Sequence, residues 1–426
     1  MRITINNILF VLLVLVIPVS VNAAAYVDEI RFEGNEKTRS SILMNEIAIS
    51  PGDELDGNKI QASVQAIMDL GLFRSVDYYL QGKKTTDSSG ESLMDLVFVV
   101  KEKYYLIVLP RFKTEDNEVH MGLQLRMDNI GGLNHQLRLL ALNRGETAGI
   151  REKKVQLKYK DPHVFSSDYQ LVVSLVDSNE VMDNLLLEDE NVIDQSFYVG
   201  VSKYLDVSRG SRGYFVGVGT SYRLRQFEGV SSGLLLDETD ATSLSLYWGY
   251  EDVNRYLYNR GGKEYGYSIE VSDRDLGSTS EFVINNFYYR SYYRFESRPD
   301  DNLNVQTLFS YATDYVLNAY AFSLGGSDDL RGYDKNRFEG NAQVLLNIEY
   351  LTPDDDHKRL RYALFLDVGN AFETVHDIKA SKLETAIGFG VRWKIPVFVK
   401  VDLRIDAGYG FGDDDYRISV SSHHAF

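Results

Sequence analysis

The chain has 426 residues, with 45 lysines and arginines against 62 aspartates and glutamates, and its formal net charge is −17. This acidity argues against a nucleic-acid partner, because binding a phosphate backbone requires a basic surface. The absence of cysteine excludes a disulfide scaffold, a thiolate metal site and a cysteine nucleophile.

The first residues have the pattern of a secretory signal peptide. Arg2 precedes an apolar segment over residues 8–19, and small residues ending at Ala23 suit cleavage, so residues 1–23 are predicted to be removed. The alternative is an anchoring helix, but the apolar segment is short for a membrane span and ends at Asn22. No later segment approaches about 18 continuous apolar residues, so a membrane-spanning mature chain is predicted to be a β-barrel.

Residues 24–103 are the only part of the sequence with helical periodicity. An alternating strand is followed by two short helices, the first capped by Thr38 or Ser40 and the second beginning at Asn58, and then by two more strands. This β-α-α-β-β order is similar to that of a polypeptide-transport-associated (POTRA) domain. The resemblance implies a module that binds an extended segment at a sheet edge, and a generic α+β spacer is the alternative.

From residue 104 to residue 426 the hydrophobic pattern has a period of two. Apolar residues at 387, 389, 391 and 393, for example, alternate with Gly388, Gly390, Arg392 and Lys394. Sixteen such segments of about ten residues predict an antiparallel barrel with an apolar outer face and a charged lumen. A soluble sandwich has the same periodicity. The signal peptide, the segment lengths and the final Phe426, which resembles the terminal signal of outer-membrane barrels, favour the barrel.

The connection between segments eleven and twelve contains the sequence Leu330-Arg331-Gly332-Tyr333. Arg331 is permanently charged and requires carboxylate or carbonyl partners if it folds inward. The predicted partners are Glu349 and Asp367, which lie on the next two segments. The alternative is a flexible external loop with a solvated arginine.

The order of these motifs resembles that of the BamA/TamA superfamily of outer-membrane assembly barrels. The Leu-Arg-Gly-Tyr loop is followed by a strand that contains Glu349, and then by the Phe-x-Asp-x-Gly strand formed by Phe365, Asp367 and Gly369. The resemblance implies that the loop enters the lumen and docks on the strand that carries Asp367. It also implies a lateral gate between the first and last strands, and an outer-membrane location in a Gram-negative-type bacterium with the POTRA domain in the periplasm.

The predicted function is therefore insertion or translocation of polypeptides, without catalysis and without a cofactor or metal. The POTRA domain is expected to capture unfolded or extended clients, and the barrel is expected to contact outer-membrane lipid and lipopolysaccharide. One POTRA domain suggests an accessory or specialised role, because the main assembly proteins of this family carry several. A non-catalytic anchor or scaffold barrel, with self-association left open, is the alternative.

Overall fold

The computed structural model describes residues 25–86, 92–115, 118–146, 149–182, 190–205, 212–229, 234–399, 402–413 and 415–421. The predicted signal peptide, residues 1–23, and the terminal Phe426 lie outside these ranges, so both stay predictions. None of the helices in the described ranges is both long enough and apolar enough to cross a membrane.

The N-terminal part is a small α+β domain. Its elements are β1 (Ala25–Glu33), α1 (Ser40–Met44), α2 (Gly57–Asp69), β2 (Phe73–Thr86) and β3 (Ser92–Glu102). The three-stranded sheet has the order β1-β3-β2, in which the central β3 pairs parallel with β1 and antiparallel with β2. Helix α2 begins after Asp56, whose side chain accepts a hydrogen bond from the Asn58 backbone N–H, and its buried face carries Ile60 and Ile67.

Helix α1 is shorter than its apolar pattern indicates. It has only five residues, and its N-cap is Arg39, which makes no side-chain capping bond. The Thr38 hydroxyl is engaged elsewhere, because it donates to Glu102 Oε1 at 2.6 Å and accepts from Asn129 Nδ2 at 2.8 Å. Ile49 lies beyond the helix and is nevertheless buried in the domain core.

The rest of the chain forms the predicted sixteen-stranded antiparallel sheet, in which strand order follows chain order. The large sheet contains β4 (Leu106–Glu115), β5 (Glu118–Ile130), β6 (His135–Glu146), β7 (Gly149–Asp161), β8 (Tyr169–Met182), β9 (Glu190–Tyr204), β10 (Gly213–Gly229), β11 (Leu235–Arg255), β12 (Arg260–Ser272), β13 (Phe282–Arg294), β14 (Asn302–Ala312), β17 (Ala342–Pro353), β18 (Leu360–Phe372), β19 (Glu384–Lys394), β20 (Asp402–Gly410) and β21 (Asp415–Ser421). Two further short strands, β15 (Phe322–Leu324) and β16 (Phe338–Gly340), pair with each other within the connection between β14 and β17.

The two faces of this sheet have opposite chemistry. Apolar side chains on the outer face are exposed, such as Leu246 at 60% and Leu364 at 65%, whereas Arg404 and Asp406 on the inner face are each 1% exposed. This follows from the two-residue period of a strand, which sends alternate side chains to opposite faces. The arrangement is that of a barrel with an apolar exterior and an ionic lumen.

The edge strands β4 and β21 lie side by side, which brings the sheet round on itself. Within the described residues, the backbone ladder runs from β4 to β21 through every intermediate neighbour, and no ladder pairs these two edges. The contact between β4 and β21 is here called the seam. It differs from the other strand junctions, which have between seven and sixteen registered pairs, as at β20–β21 and β10–β11.

The α+β domain docks against the barrel end from which β4 begins, here called the near end. The Arg39 backbone N–H donates to the Gly132 carbonyl at 3.0 Å, and the Arg255 backbone N–H donates to Asp69 Oδ1 at 2.5 Å. Glu46 Oε1 lies 3.4 Å from His163 Nε2. These contacts reach two connections of the barrel and the end of β11, so the domain lies across its near end.

Candidate functional site: a loop anchored in the lumen

The connection between β14 and β17 begins at the far end of the barrel and folds back into the lumen. Its small hairpin, formed by β15 and β16, leads into and out of the Leu-Arg-Gly-Tyr motif. Gly332 has a φ of +146°, and a Cβ at this position would lie 2.8 Å from the Gly410 nitrogen and 3.0 Å from the Ala386 Cβ. A glycine is therefore required where the loop backbone lies against β19 and β20.

Arg331 is the central residue of the inserted loop. Its Nε and one terminal nitrogen donate to the two Asp367 oxygens at 2.8 and 2.7 Å, and its backbone N–H donates to Asp367 Oδ2 at 3.1 Å. The other terminal nitrogen donates to Glu349 Oε2 at 2.6 Å. The sequence-predicted trio is thus brought together, with a two-point guanidinium–carboxylate contact of the kind that fixes orientation as well as distance.

The ionic contacts continue from Glu349 onto the last strands. Arg392 donates to the same Glu349 oxygen at 2.6 Å and to Asp406 Oδ1 at 2.6 Å. Arg404 Nε lies 3.0 Å from Asp406 Oδ2, and Arg404 also donates to the backbone carbonyl of Ser327 in the loop. We call Arg331, Arg392, Arg404, Glu349, Asp367 and Asp406 the lumen cluster.

The lumen cluster is dry, and the charges of its six members balance. Three guanidinium groups meet three carboxylates, and Arg331, Glu349 and Asp367 are 3%, 4% and 0% exposed. At its edge Arg404 also donates to the partly exposed Asp328 at 3.0 Å. Desolvation of so many charges is costly, and the cost is offset only when every charge keeps its partners. Removal of a single member therefore leaves an unpaired charge in a site from which water is excluded.

Apolar contacts hold the remainder of the motif. Leu330 and Tyr333 are almost completely buried and pack with Leu324, Leu345 and Ala386. The Tyr333 hydroxyl donates to the Thr385 carbonyl at 3.0 Å and accepts from the Gly412 backbone N–H at 2.9 Å. The motif is thus fixed by a packed leucine, an anchored tyrosine and the arginine between them.

Phe365 and Gly369 support the site from beneath. The Arg331 guanidinium lies 3.7 Å from the centre of the Phe365 ring, a cation–π distance. A Cβ at Gly388 would meet the Phe365 ring at 2.1 Å, and one at Gly369 would lie 2.6 Å from the Val344 carbonyl oxygen. The small residues on these strands leave the space that the ring and the neighbouring backbone occupy.

Two further ion pairs tie the loop to the last hairpin. Arg337 donates to Asp413 Oδ1 at 3.1 Å, and Arg417 on β21 lies 2.6 Å from Asp334. With the lumen cluster, these bonds join the loop to β17, β18, β19, β20 and β21. The C-terminal edge of the seam is therefore bonded to the loop.

Sequence reasoning missed Arg392, Arg404 and Asp406 as members of the site. Asn347 was also missed, and its side chain donates to Asp367 Oδ1 at 2.8 Å and to the Asp329 carbonyl at 2.7 Å. Their position on the charged face was the available signal, but periodicity does not show which residues of neighbouring strands lie at the same height. Across the described ranges, no group of three or more histidine, cysteine, aspartate or glutamate side chains is arranged to hold a metal ion.

Comparison with protein families gives two matches that together cover most of the chain. A model described as the Omp85 superfamily domain matches residues 129–419, and a POTRA model described as a surface antigen variable number repeat matches residues 25–103. A curated relative, the outer membrane protein assembly factor BamA of Nitratidesulfovibrio vulgaris, is 22% identical over 92% of this chain and 49% of its own length. The chain thus spans about half the length of that relative.

Solved structures share the fold at low sequence identity. The crystal structure of BamA from Haemophilus ducreyi lacking POTRA domains 1–3 is 15% identical, with a TM-score of 0.55, over 93% of this chain and 84% of that one. CdiB from Acinetobacter baumannii is 14% identical, with a TM-score of 0.58, over 94% and 74% of the two chains. CdiB from Escherichia coli is 13% identical, with a TM-score of 0.59, over 95% and 91%.

Proposed function

The chain belongs to the Omp85 superfamily, and on this premise we propose that it inserts or translocates polypeptides through the seam between β4 and β21. Membership makes it an outer-membrane assembly or translocation barrel with its POTRA domain, and therefore the near end of the barrel, in the periplasm. The proposed activity involves no covalent chemistry. An accessory or specialised role is part of the same proposal.

The seam is the observation that carries the proposal. Every other junction of the sheet has a registered ladder, whereas the described residues of β4 and β21 have none between them. An unpaired strand edge within a bilayer leaves backbone N–H and C=O groups without partners, and such groups are costly in hydrocarbon. An edge of this kind accepts the backbone of an incoming strand, so the seam serves as both gate and template.

The inserted loop is proposed to keep one side of the gate rigid. Arg331 contacts β17 and β18, and Arg417 links the loop to β21, so the five C-terminal strands and the loop form one bonded unit. Opening at the seam breaks none of these contacts. The lumen cluster therefore has a structural role, in which it preserves the barrel wall while the edge of β4 separates from β21.

The POTRA domain is proposed to bind extended clients at an open sheet edge. β3 lies in the centre of its sheet, which leaves β1 and β2 as edge strands. β2 is 14 residues long and carries exposed apolar side chains at Tyr79 and Leu80. An added strand gains main-chain hydrogen bonds from such an edge and side-chain contacts from its alternate residues.

The test is reconstitution of the full chain in liposomes, followed by measurement of how fast an unfolded barrel client folds into the same membrane. We expect acceleration over empty liposomes. A cysteine pair introduced at Val108 and Val420, which are exposed on the two sides of the seam, should stop the acceleration when it is cross-linked. The native chain contains no cysteine, so the two introduced cysteines are the only thiols that can be cross-linked.

The matched control places the cysteine pair across a registered junction. Val391 and Ile405 are direct partners on β19 and β20, and a cross-link between them should leave the acceleration unchanged. Equal activity with the seam locked and unlocked would remove the lateral gate from the mechanism. A barrel that is inert under all conditions would support the scaffold function instead.

A further inference from the structure

The periplasmic half of the lumen has a wall of positive charge that nearby carboxylates neutralise only in part. Arg138 on β6 and Lys158 on β7 are direct cross-strand partners, and Lys160 follows two residues later on the same face. This face is the inner one, because Val155, which has the opposite parity on β7, is exposed outside. Among the residues that the structure describes, none of these three side chains makes a hydrogen bond or an ion pair.

Further cations extend the wall around the near end. They are Arg255 on β11, Lys394 on β19 and Lys103 in the segment that joins the POTRA domain to β4. Burial lowers the pKa of the Lys103 ammonium to about 8, and the positive charges of Lys394 and Arg255 contribute to that shift. We call Lys103, Arg138, Lys158, Lys160, Arg255 and Lys394 the basic wall.

Most carboxylates at this level are already engaged. Asp128 lies 2.8 Å from Arg126, Asp161 lies 3.2 Å from His135, and Asp69 accepts from the Arg255 backbone. Glu251 lies 3.9 Å from Arg255, at the limit of an ion pair, and the buried Asp402 is the cross-strand partner of Lys394. The basic wall thus has an excess of positive charge inside a chain whose net charge is −17.

Space for a ligand lies directly below this wall. One cavity between helix α2 and the lumen is lined by the cations Lys160, Arg212 and Arg255 and by the carboxylates Glu46, Asp69 and Glu251. A second is lined by Lys103, Arg255 and Lys394 and by Asp402. Arg255 lines both cavities, and the cations of the second outnumber its carboxylate. Both lie between the POTRA domain and the barrel.

We propose that the basic wall binds an acidic segment of an extended polypeptide client. Side chains two residues apart on a strand point the same way and are about 6.6 Å apart. Lys158 and Lys160 therefore present two positive charges at the spacing of alternate residues on a strand. A client strand with carboxylates at alternate positions meets both lysines, and its flanking carboxylates meet Arg138 and Arg255. This inference rests on the proposed function and adds the class of client to it.

The test measures binding of fluorescent peptides to the full chain in detergent micelles by anisotropy. The peptides have about ten residues, the length of a membrane-spanning strand, and alternate threonine with glutamate, glutamine or lysine. We expect only the glutamate peptide to bind, with an affinity that falls as salt rises, because the contacts are between solvated charges. A fourth peptide has the same number of glutamates grouped at one end and should bind more weakly.

The decisive variant is Lys158→Gln/Lys160→Gln. Loss of two solvated charge contacts should weaken binding of the alternating glutamate peptide by roughly five- to tenfold. Lys158→Arg/Lys160→Arg keeps the charges and should retain the binding. Lys379→Gln/Lys382→Gln removes the same charge from a connection at the far end and should change nothing, and thermal melting of each variant verifies its fold.

Three results would overturn the inference. These are equal binding of the glutamine peptide, no effect of Lys158→Gln/Lys160→Gln, and complete displacement of the peptide by inorganic phosphate at constant ionic strength, which indicates a site for small anions. The proposed function is tested separately, because the liposome assay uses a client without acidic segments. If the chain accelerates folding of that client but binds no peptide, only the inference about the basic wall is rejected.

Discussion

The two halves of the lumen use arginine and lysine in opposite ways. Around Arg331 every cation of the lumen cluster has a carboxylate within 3.0 Å, and the site is dry. Around Lys158 the cations face each other and open space. Paired, buried charges specify one structure, because any rearrangement leaves a charge without its partner. Unpaired, hydrated charges tolerate movement and attract whatever opposite charge arrives.

The largest expected effect comes from removal of a carboxylate from the paired half. Asp367→Ala leaves Arg331 with only Glu349 in a buried site, and it should lower the free energy of unfolding by about 3–5 kcal/mol. Denaturant-induced unfolding in micelles measures this loss. Arg274→Ala is the matched control, because its ion pair with Glu281 is exposed and should contribute little. Equal effects of the two substitutions would contradict a dry, interdependent cluster.

Gly332→Ala should have the next largest effect, about 2–3 kcal/mol, because the new Cβ adds close contacts with β20 to an unfavourable φ. Gly277→Ala separates the two causes. Its φ is +86° but no atom lies within 4 Å of the place that its Cβ would take, so only the backbone penalty of about 1 kcal/mol is expected. If both substitutions lower the free energy of unfolding equally, the close approach of the loop to β20 is not the reason that position 332 requires glycine.

A smaller effect is expected at the junction between the POTRA domain and the barrel. Burial opposes the charged form of His163, but the hydrogen bond and charge of Glu46 outweigh it, so the pKa of this imidazole lies above its ordinary value. A raised folded pKa stabilises docking fully below about pH 6.5, and the contribution is lost as pH rises through the folded pKa. The protection of amides around Glu46 from hydrogen exchange, taken relative to the intrinsic exchange rate at each pH, should therefore decrease between mildly acidic and alkaline pH.

His163→Gln should remove that dependence and leave the protection around Glu46 uniformly lower. His357, which is also beside an aspartate but on an exposed connection, provides the control His357→Gln. A pH response that survives His163→Gln would assign the effect to another group.

The smallest effect has the opposite sign and sharpens the contrast between the two halves. Lys158→Gln/Lys160→Gln removes two like charges next to Arg138, so stability should stay constant or rise by up to about 0.5 kcal/mol. Urea unfolding in micelles at low salt measures this change. A loss of more than about 1 kcal/mol would mean that these lysines have structural partners, because removal of unpaired surface charges rarely costs that much.

Much of the fold was accessible from the sequence, because strand periodicity and turn residues repeat sixteen times. The sixteen-stranded antiparallel sheet after an α+β domain is confirmed. The ends of the strands were less accessible: β11 extends to Arg255 and β12 begins at Arg260, which leaves four residues between them. The local hydrophobic pattern does not show where two strands stop pairing, since the last paired residue depends on the partner strand.

The site was accessible only in part. The order of motifs placed Arg331 with Glu349 and Asp367, whose side chains lie within hydrogen-bonding distance of it. Arg392 could not be assigned to Glu349, because that contact crosses from β17 to β19 and depends on strand register and barrel curvature. Thr38 looked like a helix cap, but its hydroxyl joins two domains. Tertiary contacts decide such side chains.

The lumen cluster also has a consequence for the maturation of this chain itself. Arg331 can meet Glu349 and Asp367 once β17 and β18 are in place, whereas Arg392 and Arg404 find Asp406 only when β20 is added. Contacts between residues so far apart in sequence form late, since closing long chain segments costs entropy first. The network around the loop is therefore completed as one of the last steps of the barrel's own biogenesis, and in a barrel truncated before β20 the loop should be more open to proteases.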